Sequence, residues 1–223
     1  MIKEKALVLL SGGQDSATCL LLALQEYTEV ECISFYYAQK HQRELESAEE
    51  ICELLELNHS IIDATILQDI TTSALFNCSG NTDFPIDPQT NLPTSFVPGR
   101  NILFLTLASI YAYTRKINTI YCGVCQSDYS GYPDCRLNTI KALELALCYG
   151  LDKPIYILTP LMHLTKAESI NLVKDIYNFK PVMELTHTCY NGMNPPCKIC
   201  PSCLLRAKGF ADAGINDPLL EVK

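Results

Sequence analysis

Strand-length apolar runs alternate with helical patterns along most of this chain, and that alternation limits the possible folds more than any other feature. Strands that are each followed by a helix return to the same edge and pair in parallel. We therefore predict an α/β fold, an open parallel five-stranded sheet with helices on both faces. The predicted strands are Ala6–Leu10, Cys32–Phe35, Ser60–Ile62, Thr119–Cys122 and Ile155–Leu158.

The predicted helices carry apolar residues three or four positions apart. They comprise Ala17–Gln25, Gln42–Leu55, Asn101–Tyr113, Leu137–Cys148 and a fifth helix from Thr165 to Asp175. The fifth helix begins with the sequence TKAE, which matches a capping box. The acidic residues of the second helix are expected to form a solvated face rather than a catalytic cluster. They are Glu44, Glu46, Glu49, Glu50, Glu53 and Glu56.

The hexapeptide Ser11-Gly12-Gly13-Gln14-Asp15-Ser16 connects the first predicted strand to the first predicted helix. Its glycines let the backbone approach an anion, its serines offer hydroxyl donors, and the helix presents free N–H groups. Its spacing matches neither a Walker loop nor a dinucleotide fingerprint. The alternative is an ordinary turn capped by Asp15 or Ser16. We predict that this loop, together with Leu10, binds the phosphates of ATP.

Four of the twelve cysteines lie close together, whereas the others are dispersed, mostly in apolar stretches typical of small buried side chains. The four are Cys189, Cys197, Cys200 and Cys203. This spacing suits a closed tetrahedral thiolate site, so we predict a structural Zn²⁺. Disulfides are disfavoured in a reducing compartment, and a redox CxxC usually opens a helix in a βαβ unit. The spacing also suits a [4Fe–4S] cluster, which stays open as an alternative.

The length of 223 residues suits one α/β domain with a small appendage. We assign residues 1–186 to an ATP-binding catalytic domain. Residues 187–223 are predicted to form a cysteine-rich module with a C-terminal helix, packed on the same domain. The long polar loop between Cys78 and Pro98 is interpreted as a lid or a subunit contact.

Charge and hydropathy favour a cytoplasmic protein that acts on small molecules. The N-terminal apolar run is too short for a secretory signal. The longest apolar run, from Ile102 to Tyr113, is shorter than the roughly 17–25 residues that span a bilayer and is expected to be a central buried helix. The net charge is −8 and the chain has no Lys/Arg run, so we expect no direct nucleic-acid partner and no membrane association.

The SGGQDS loop resembles the pyrophosphate loop of the PP-loop ATP pyrophosphatases. Over nearly its whole length the chain further resembles the 7-cyano-7-deazaguanine synthases of the queuosine pathway, a PP-loop family. The matching stretches are Tyr37–His41 with Glu44, Val97–Asn101, Gly123 with Asp128–Arg136, Leu164–Glu168 and the four-cysteine spacing. The resemblance implies an adenine nucleotide alpha-hydrolase-like fold.

The resemblance also implies an activity. The family converts 7-carboxy-7-deazaguanine and ammonia to the nitrile with ATP, and binds one zinc per chain. A carboxylate resists attack by ammonia because oxide is a poor leaving group, so adenylation is needed first. Oxygen must leave twice, which predicts two activations that each release AMP and pyrophosphate, with an amide between them. A homodimer is expected from the family.

The resemblance and the position of each residue suggest roles in this reaction. Asp15 is expected to bind Mg²⁺ or orient the pyrophosphate. Arg100, beside Gly99, and Lys166 are expected to offset charge on the phosphates, although each also begins a helix and so has a structural alternative. His41 is expected at the rim of the site.

A second group of residues is expected to recognise the base. A carboxylate at Asp128 or Asp134 would pair with the N–H donors of a deazaguanine, and Tyr132 would stack on its ring. Arg136 belongs to the same stretch and is assigned to the substrate site. The alternative is that this stretch, which is rich in turn-forming residues, is only a turn.

Three other functions are alternatives. A tRNA-modifying PP-loop enzyme, of the thiouridylase or lysidine synthetase type, would need a basic surface. An ammonia-dependent ligase similar to NAD synthetase shares the ATP loop but gives no reason for four clustered cysteines. A zinc-stabilised ATP-binding module would act only through a partner and would show no turnover alone.

Overall fold

Five parallel strands form one sheet in the order β3-β2-β1-β4-β5 in the computed structural model, which describes residues 3–38, 42–71, 73, 75–76, 85–126 and 131–221. Every adjacent pair of strands is parallel, as the alternating pattern predicts. The chain adds strands on one side of β1 and then on the other, which creates a topological switch point beside β1. The strands are β1 (Lys3–Leu9), β2 (Tyr27–Tyr36), β3 (Asn58–Asp63), β4 (Thr119–Tyr121) and β5 (Tyr156–Leu158).

The five predicted helices are present with ends shifted by at most three residues, and shorter helices join them. The capping box of the helix after β5 is also present, because the Thr165 hydroxyl accepts from the Glu168 amide and the Glu168 carboxylate accepts from the Thr165 amide. The helices are α1 (Gln14–Glu26), α2 (Arg43–Leu54), α3 (Ile66–Ile70), α4 (Arg100–Thr114), α5 (Leu137–Leu151), α6 (Lys166–Val173), α7 (Phe179–Leu185), α8 (Pro201–Asp212) and α9 (Pro218–Glu221).

The sheet lies between two helical layers because side chains alternate along each strand. Ala6 and Val8 of β1 are fully buried in one cluster with residues of α1, α2, α6, α7 and α8. Leu7, between them, belongs to a second cluster on the opposite face with residues of α4 and α5. Burial on both faces explains why the strands are nearly continuous apolar runs.

Helix α4 is less buried than its sequence predicts. Ile102, Ile110 and Tyr113 are 39%, 47% and 39% exposed, although Leu105 and Ala108 on the opposite side are fully buried. The expectation of a central buried helix was therefore wrong for one face. The neighbouring helix α5 is similar, since only Ile140 of its residues is buried. Within the described residues, no helix is long and apolar enough to cross a membrane.

Candidate active site

The loop between β1 and α1 is closed on itself by serine hydroxyls. The Ser11 and Ser16 hydroxyl oxygens lie 3.1 Å apart, and the Ser16 hydroxyl donates to the Gly13 carbonyl at 3.0 Å. The Ser11 amide donates to the Ser16 hydroxyl at 3.1 Å, and the Gly13 amide to the Ser11 hydroxyl at 3.3 Å. These bonds hold the loop in a fixed curve around the start of α1.

The start of α1 is suited to an anion. Gly13 is the N-cap residue and, as a glycine, supplies no side-chain cap to the helix. The first-turn N–H groups of a helix have no intrahelical carbonyl partner, and together with the positive end of the helix dipole they favour phosphate oxygens. The buried Nε2 of Gln14 also has no hydrogen-bond partner among the described residues.

The loop can adopt this shape because Gly12 has no side chain. Its φ is +84°, and a Cβ there would lie only 1.9 Å from the Glu44 carbonyl oxygen. That distance is far inside van der Waals contact, so any larger residue would force the loop and the start of α2 apart. The glycine is thus required both by backbone conformation and by close approach.

A cavity of about 780 Å³ opens at the carboxyl ends of β1, β2 and β4, where ligands bind in open α/β sheets. Its volume lies within the range of small-molecule sites. Several residues assigned to the site from the sequence line this cavity, whereas Gly12, Gly99, Asp134 and Arg136 do not line it. Those that line it are Leu10, Ser11, Gly13, Gln14, Asp15, Ser16, Arg100, Tyr132 and Lys166.

Two assigned cations face the cavity from different helices. The Lys166 ammonium lies 2.5 Å from a carboxylate oxygen of Asp15, which joins α6 to the phosphate loop. Arg100 begins α4, and its guanidinium carbon lies 5.7 Å from the centre of the Tyr37 ring. The structure therefore places one positive charge beside the loop and another beside an aromatic wall.

The residues assigned to base recognition divide into two groups. Tyr132 lines the cavity, where its hydroxyl oxygen lies 2.7 Å from the Ser95 hydroxyl oxygen. Asp134 is buried, and one of its carboxylate oxygens accepts a 2.9 Å hydrogen bond from the Asn101 amide, at the start of α4. Arg136 is exposed at the N-cap of α5. The predicted roles of His41 and Asp128 fall on residues outside the described part of the chain.

Other residues line the cavity that sequence reasoning did not assign. Ser34 lies near the end of β2 and Gly123 closely follows β4, so the position of strand ends could have identified them. Phe104 and His187 carry no comparable local signal. All of these, together with Tyr37 and Glu44, line the cavity.

Glu44 departs from the expectation of a solvated acidic face. It is half-buried in the first turn of α2 and borders the cavity. Burial raises the pKa of Glu44 to about 7, although the nearby Arg100 guanidinium opposes this shift. Its carboxyl group therefore exchanges protons close to neutral pH.

The four clustered cysteines converge as the sequence predicts. All four sulfur atoms lie within 4.8 Å of one another, and Cys197 Sγ lies 3.9 Å from Cys203 Sγ. Tetrahedral Zn–S bonds of about 2.3 Å would require sulfur separations of about 3.8 Å, so the cluster is compatible with a metal ion. Backbone N–H groups of Ile199 and Cys200 lower the pKa of Cys197 to about 6, which favours the thiolate that metals bind.

The cysteine cluster is joined to the cavity by helix α8. Gly209 of α8 faces α6 so closely that a Cβ on it would lie 2.7 Å from Lys166 Cβ. Arg206, one turn earlier, is buried and forms an ion pair with Asp217 at 2.7 Å. Arg206 also donates to the Thr186 and Thr188 hydroxyls at 2.6 and 3.0 Å. These contacts hold the segment before Cys189 against the cavity.

Comparison with known proteins identifies close relatives over nearly the whole chain. Residues 5–214 match the family described as queuosine biosynthesis protein QueC. A 7-cyano-7-deazaguanine synthase of Laribacter hongkongensis is 48% identical over 97% of this chain and 94% of its own length. Proteins of the same name from Chromobacterium violaceum and Clostridium botulinum are 47% and 45% identical, over 98% and 95% of this chain and 94% and 97% of their own lengths.

A solved structure shares the fold at lower identity. It is a 4-thiouridine synthetase in complex with RNA and bound ATP, with a TM-score of 0.52 and 17% identity. The match covers 97% of this chain and 51% of that one. At this identity the likeness concerns the fold alone, which extends over the sheet and the C-terminal helices.

Proposed function

The chain belongs to the family of queuosine biosynthesis protein QueC, and from this membership we propose that it is an ATP-dependent C–N ligase, a 7-cyano-7-deazaguanine synthase. It converts 7-carboxy-7-deazaguanine and ammonia to 7-cyano-7-deazaguanine. The reaction passes through an adenylated acid, an amide and an adenylated amide at one site, and its product serves queuosine biosynthesis.

One observation carries this proposal. The start of α1, where Gly13 supplies no capping side chain, lies with the serine-closed loop at the same cavity as Arg100 and Tyr132. An anion-binding helix terminus and an aromatic-lined wall thus share one cavity, as a reaction between ATP and a planar heterocycle requires.

The chemistry explains why an ATP site is needed. Ammonia does not displace oxide from a carboxylate, whereas AMP leaves readily from an acyl adenylate. The acid therefore attacks the α-phosphorus of ATP and releases pyrophosphate, and ammonia then replaces AMP. The resulting amide is activated through its oxygen by a second ATP, and loss of AMP leaves the nitrile.

We assign the phosphates to the loop Ser11–Ser16 with Leu10 and Gly99 beside it. Asp15 would bind Mg²⁺ or orient the pyrophosphate, and its contact with Lys166 puts that ammonium within reach of the same phosphate oxygens. Arg100 supplies a second positive charge. Mg²⁺, when bound, neutralises the phosphates so that the leaving pyrophosphate is stabilised.

Base recognition is assigned to the other end of the cavity. Tyr132 supplies an aromatic face, and its contact with Ser95 fixes the ring. The candidates for contacts with the exocyclic groups of the base are Asp128, Asp134 and Arg136. His41 is the candidate for the rim of the site. Asp134 also caps the start of α4, so its removal would displace Arg100 as well.

Mass spectrometry of products tests the activity directly. Purified protein would be mixed with ATP, Mg²⁺, ammonium and 7-carboxy-7-deazaguanine. We expect the nitrile, with two AMP and two pyrophosphate released for each nitrile formed. Absence of conversion would overturn the proposal, and release of ADP and phosphate would overturn the stoichiometry.

The same assay separates the alternatives. Transfer RNA and nicotinate adenine dinucleotide replace the carboxy-deazaguanine in parallel reactions. A net charge of −8 disfavours a polyanionic substrate, so we propose no direct contact with nucleic acid. Modified tRNA or NAD as the product would identify one of the rival enzymes.

We propose that Cys189, Cys197, Cys200 and Cys203 hold one structural Zn²⁺. Their four sulfurs leave no open position for substrate, and the metal would fold the loop 189–203. Four reduced thiolates fit a cytoplasmic protein. Elemental analysis of protein purified without oxygen is expected to give one zinc per chain, whereas iron with sulfide and no stoichiometric zinc would reverse the assignment.

We also propose a homodimer that pairs the exposed apolar surface of α4 and α5. Large apolar side chains are exposed there, including Leu145 at 56% and Tyr149 at 79%. Ala142, Ala146 and Gly150 are exposed between them and allow helices to approach closely. A second copy of the chain would cover this surface, because between Ile102 and Thr114 helix α4 carries no charged residue to repel it.

Light scattering tests this assembly. The wild-type protein is expected at twice the chain mass, and the double substitution I110K/L145K at the chain mass. The substitution of Leu172 by Lys, at a residue that is 49% exposed on α6, serves as the control and is expected to leave the mass unchanged. A monomeric wild-type protein would overturn the proposal.

A further inference from the structure

We propose that the Glu44 carboxylate is the general base that removes protons from the reacting nitrogen in both activations. The proposal rests on the proposed function and extends it, since the Asp15 carboxylate of the loop is already paired with Lys166 and the two cations hold their protons. It assigns the role to a residue on α2, whose glutamates the sequence predicts as a solvated acidic face.

The position of Glu44 is fixed by the phosphate loop itself. Its carbonyl oxygen occupies the space that a Gly12 side chain would need, so the first turn of α2 lies directly on the loop. Glu44 lines the cavity together with Ser11, Arg100 and Tyr37, and its carboxyl group interacts electrostatically with the Arg100 guanidinium. A ligand held by the loop therefore lies beside this carboxylate.

The carboxylate of Glu44 is accessible to a ligand. No side chain in the described part of the chain forms a hydrogen bond or an ion pair with this carboxylate. The groups that face it are the Tyr37 hydroxyl, after β2, and the Arg100 guanidinium, at the start of α4. Asp15 and Lys166 line the same cavity and carry opposite charges.

The other carboxylate and the imidazole that line the cavity, Asp15 and His187, are engaged elsewhere. Asp15 is paired with Lys166 at 2.5 Å. The His187 ring nitrogen Nε2 lies 3.1 Å from the Cys189 carbonyl oxygen. Glu44, with burial raising its pKa to about 7, combines an accessible carboxylate with a proton affinity suited to neutral pH.

The first activation needs such a base once ammonia has added. Attack of ammonia on the acyl adenylate forms a C–N bond and leaves a positively charged nitrogen with three hydrogens. Glu44 takes one of these protons. The tetrahedral species then collapses, the C–O bond to AMP breaks with its electron pair leaving on AMP, and the neutral amide remains.

The second activation needs the same base at the same atom. The amide oxygen attacks the α-phosphorus of ATP, and a C–O–P linkage forms as pyrophosphate leaves. The nitrogen must then lose both of its protons, one to give the neutral imidate and one as the C–O bond to AMP breaks and the nitrile forms. Glu44 takes them in turn and passes the first to water.

The amide is the decisive substrate for a test, because its conversion to nitrile consumes ATP but no ammonia. The pH dependence of this half-reaction is therefore free of ammonium ionisation. With wild-type protein the maximal rate is expected to rise as pH increases through about 7 and then level off, because Glu44 is active when deprotonated. Glu44→Gln is expected to lose this inflection and about 10²–10⁴-fold in rate.

Exchange of radioactive pyrophosphate into ATP in the presence of the carboxylate substrate reports adenylation alone. The exchange rate of Glu44→Gln is expected to stay within about a few-fold of the wild-type rate, because the base is used only after adenylation. Glu53→Gln, at an exposed glutamate of the same helix, is the matched control and is expected to behave as wild type in both assays.

Each outcome decides the matter. Nitrile formation by Glu44→Gln with a wild-type rate and pH profile would overturn the assignment. An equal loss of exchange and of nitrile formation would also overturn it, since Glu44 would then act on ATP binding or on the fold. Failure of the wild-type protein to convert the acid or the amide would instead overturn the proposed function.

Discussion

The backbone amide of His187 donates a 2.9 Å hydrogen bond to the carbonyl oxygen of Gly12. His187 is buried and lies two residues before Cys189, the first member of the cysteine cluster. The phosphate loop is therefore tied to the segment from which the proposed metal site begins. An ordered cysteine cluster is therefore expected to support an ordered phosphate loop.

Removal of the proposed metal should weaken ATP binding. Cys200→Ser is expected to lower the metal content and to raise the Kd for ATP by about 5–150-fold, the usual range for coupling between two sites. The physical reason is that the segment 186–189 would lose one of its anchors and release Gly12. Elemental analysis and calorimetric titration with ATP measure the two effects.

Cys148→Ser is the control for this experiment. Cys148 is a half-buried thiol of α5 outside the cluster, and serine can replace its hydrogen bonds to Ile155. It should retain both metal and ATP affinity. A folded Cys200→Ser protein that lacks metal yet binds ATP as wild type does would show that the two sites are independent.

Gly12→Ala should disrupt the phosphate loop. The new Cβ would lie 1.9 Å from the Glu44 carbonyl oxygen, at a φ of +84° that L side chains rarely adopt. We expect destabilisation of about 1–3 kcal/mol from overpacking and loss of measurable ATP binding. Urea unfolding and titration with ATP test both.

Gly214→Ala provides the matched comparison, since Gly214 has a φ of +71° but no atom within 4 Å of the added Cβ. This variant separates the effect of backbone strain at a positive φ from the effect of the steric contact. Its ATP affinity should equal that of wild type. Equal losses in both variants would attribute the effect to backbone strain rather than to the contact with Glu44.

Much of the fold could be predicted because its signals are local. The apolar runs and the capping box at Thr165 require only neighbouring residues, and both predictions are confirmed. Strand β2 begins at Tyr27, five residues before its prediction, because Glu29 and Glu31 interrupt the apolar run. Such polar positions can be assigned to a strand only once the neighbouring strand is known.

The site was harder to predict because its contacts are distant in sequence. The loop residues carry a motif, so their position beside the cavity could be expected. By charge and spacing Glu44 looks like its exposed neighbours on α2; the resemblance included it without a role, and the approach of that helix to Gly12 is what places it at the site. His187 reaches the loop across most of the chain, and no local pattern marks that contact.

Loss of the Lys166 charge should slow adenylation. Lys166 contacts Asp15 at 2.5 Å and is mostly buried at the edge of the cavity, where charge on the phosphates is weakly screened. Lys166→Met is expected to lower the rate of pyrophosphate exchange by about 10²–10³-fold, as removal of one transition-state donor does. Lys174→Met, at the exposed end of the same helix, should have no effect.

Lys166→Arg distinguishes charge from geometry at this position. Arginine keeps the positive charge, but its guanidinium is larger than an ammonium and α8 approaches Lys166 closely at Gly209. We expect partial activity. Wild-type exchange by Lys166→Met would remove Lys166 from the catalytic residues and leave it only a structural contact of Asp15.

Arg206 should be the most important single ion-pair residue for stability of the C-terminal region. It is 4% exposed, forms an ion pair with Asp217 at 2.7 Å and donates to the Met183 carbonyl at 3.1 Å. Arg206→Met would leave the Asp217 carboxylate buried without its cation, at a cost of about 3–5 kcal/mol. Urea unfolding measures this change.

The double substitution R206M/D217L removes both charges and tests whether the unpaired carboxylate causes the loss of stability. Because no carboxylate is then left unpaired, it should recover part of the stability that Arg206→Met loses. Lys180→Met breaks an exposed pair with Glu221 and should leave the unfolding curve nearly unchanged. If Arg206→Met unfolds at the wild-type urea concentration, the ion pair does not hold the segment before Cys189 in place.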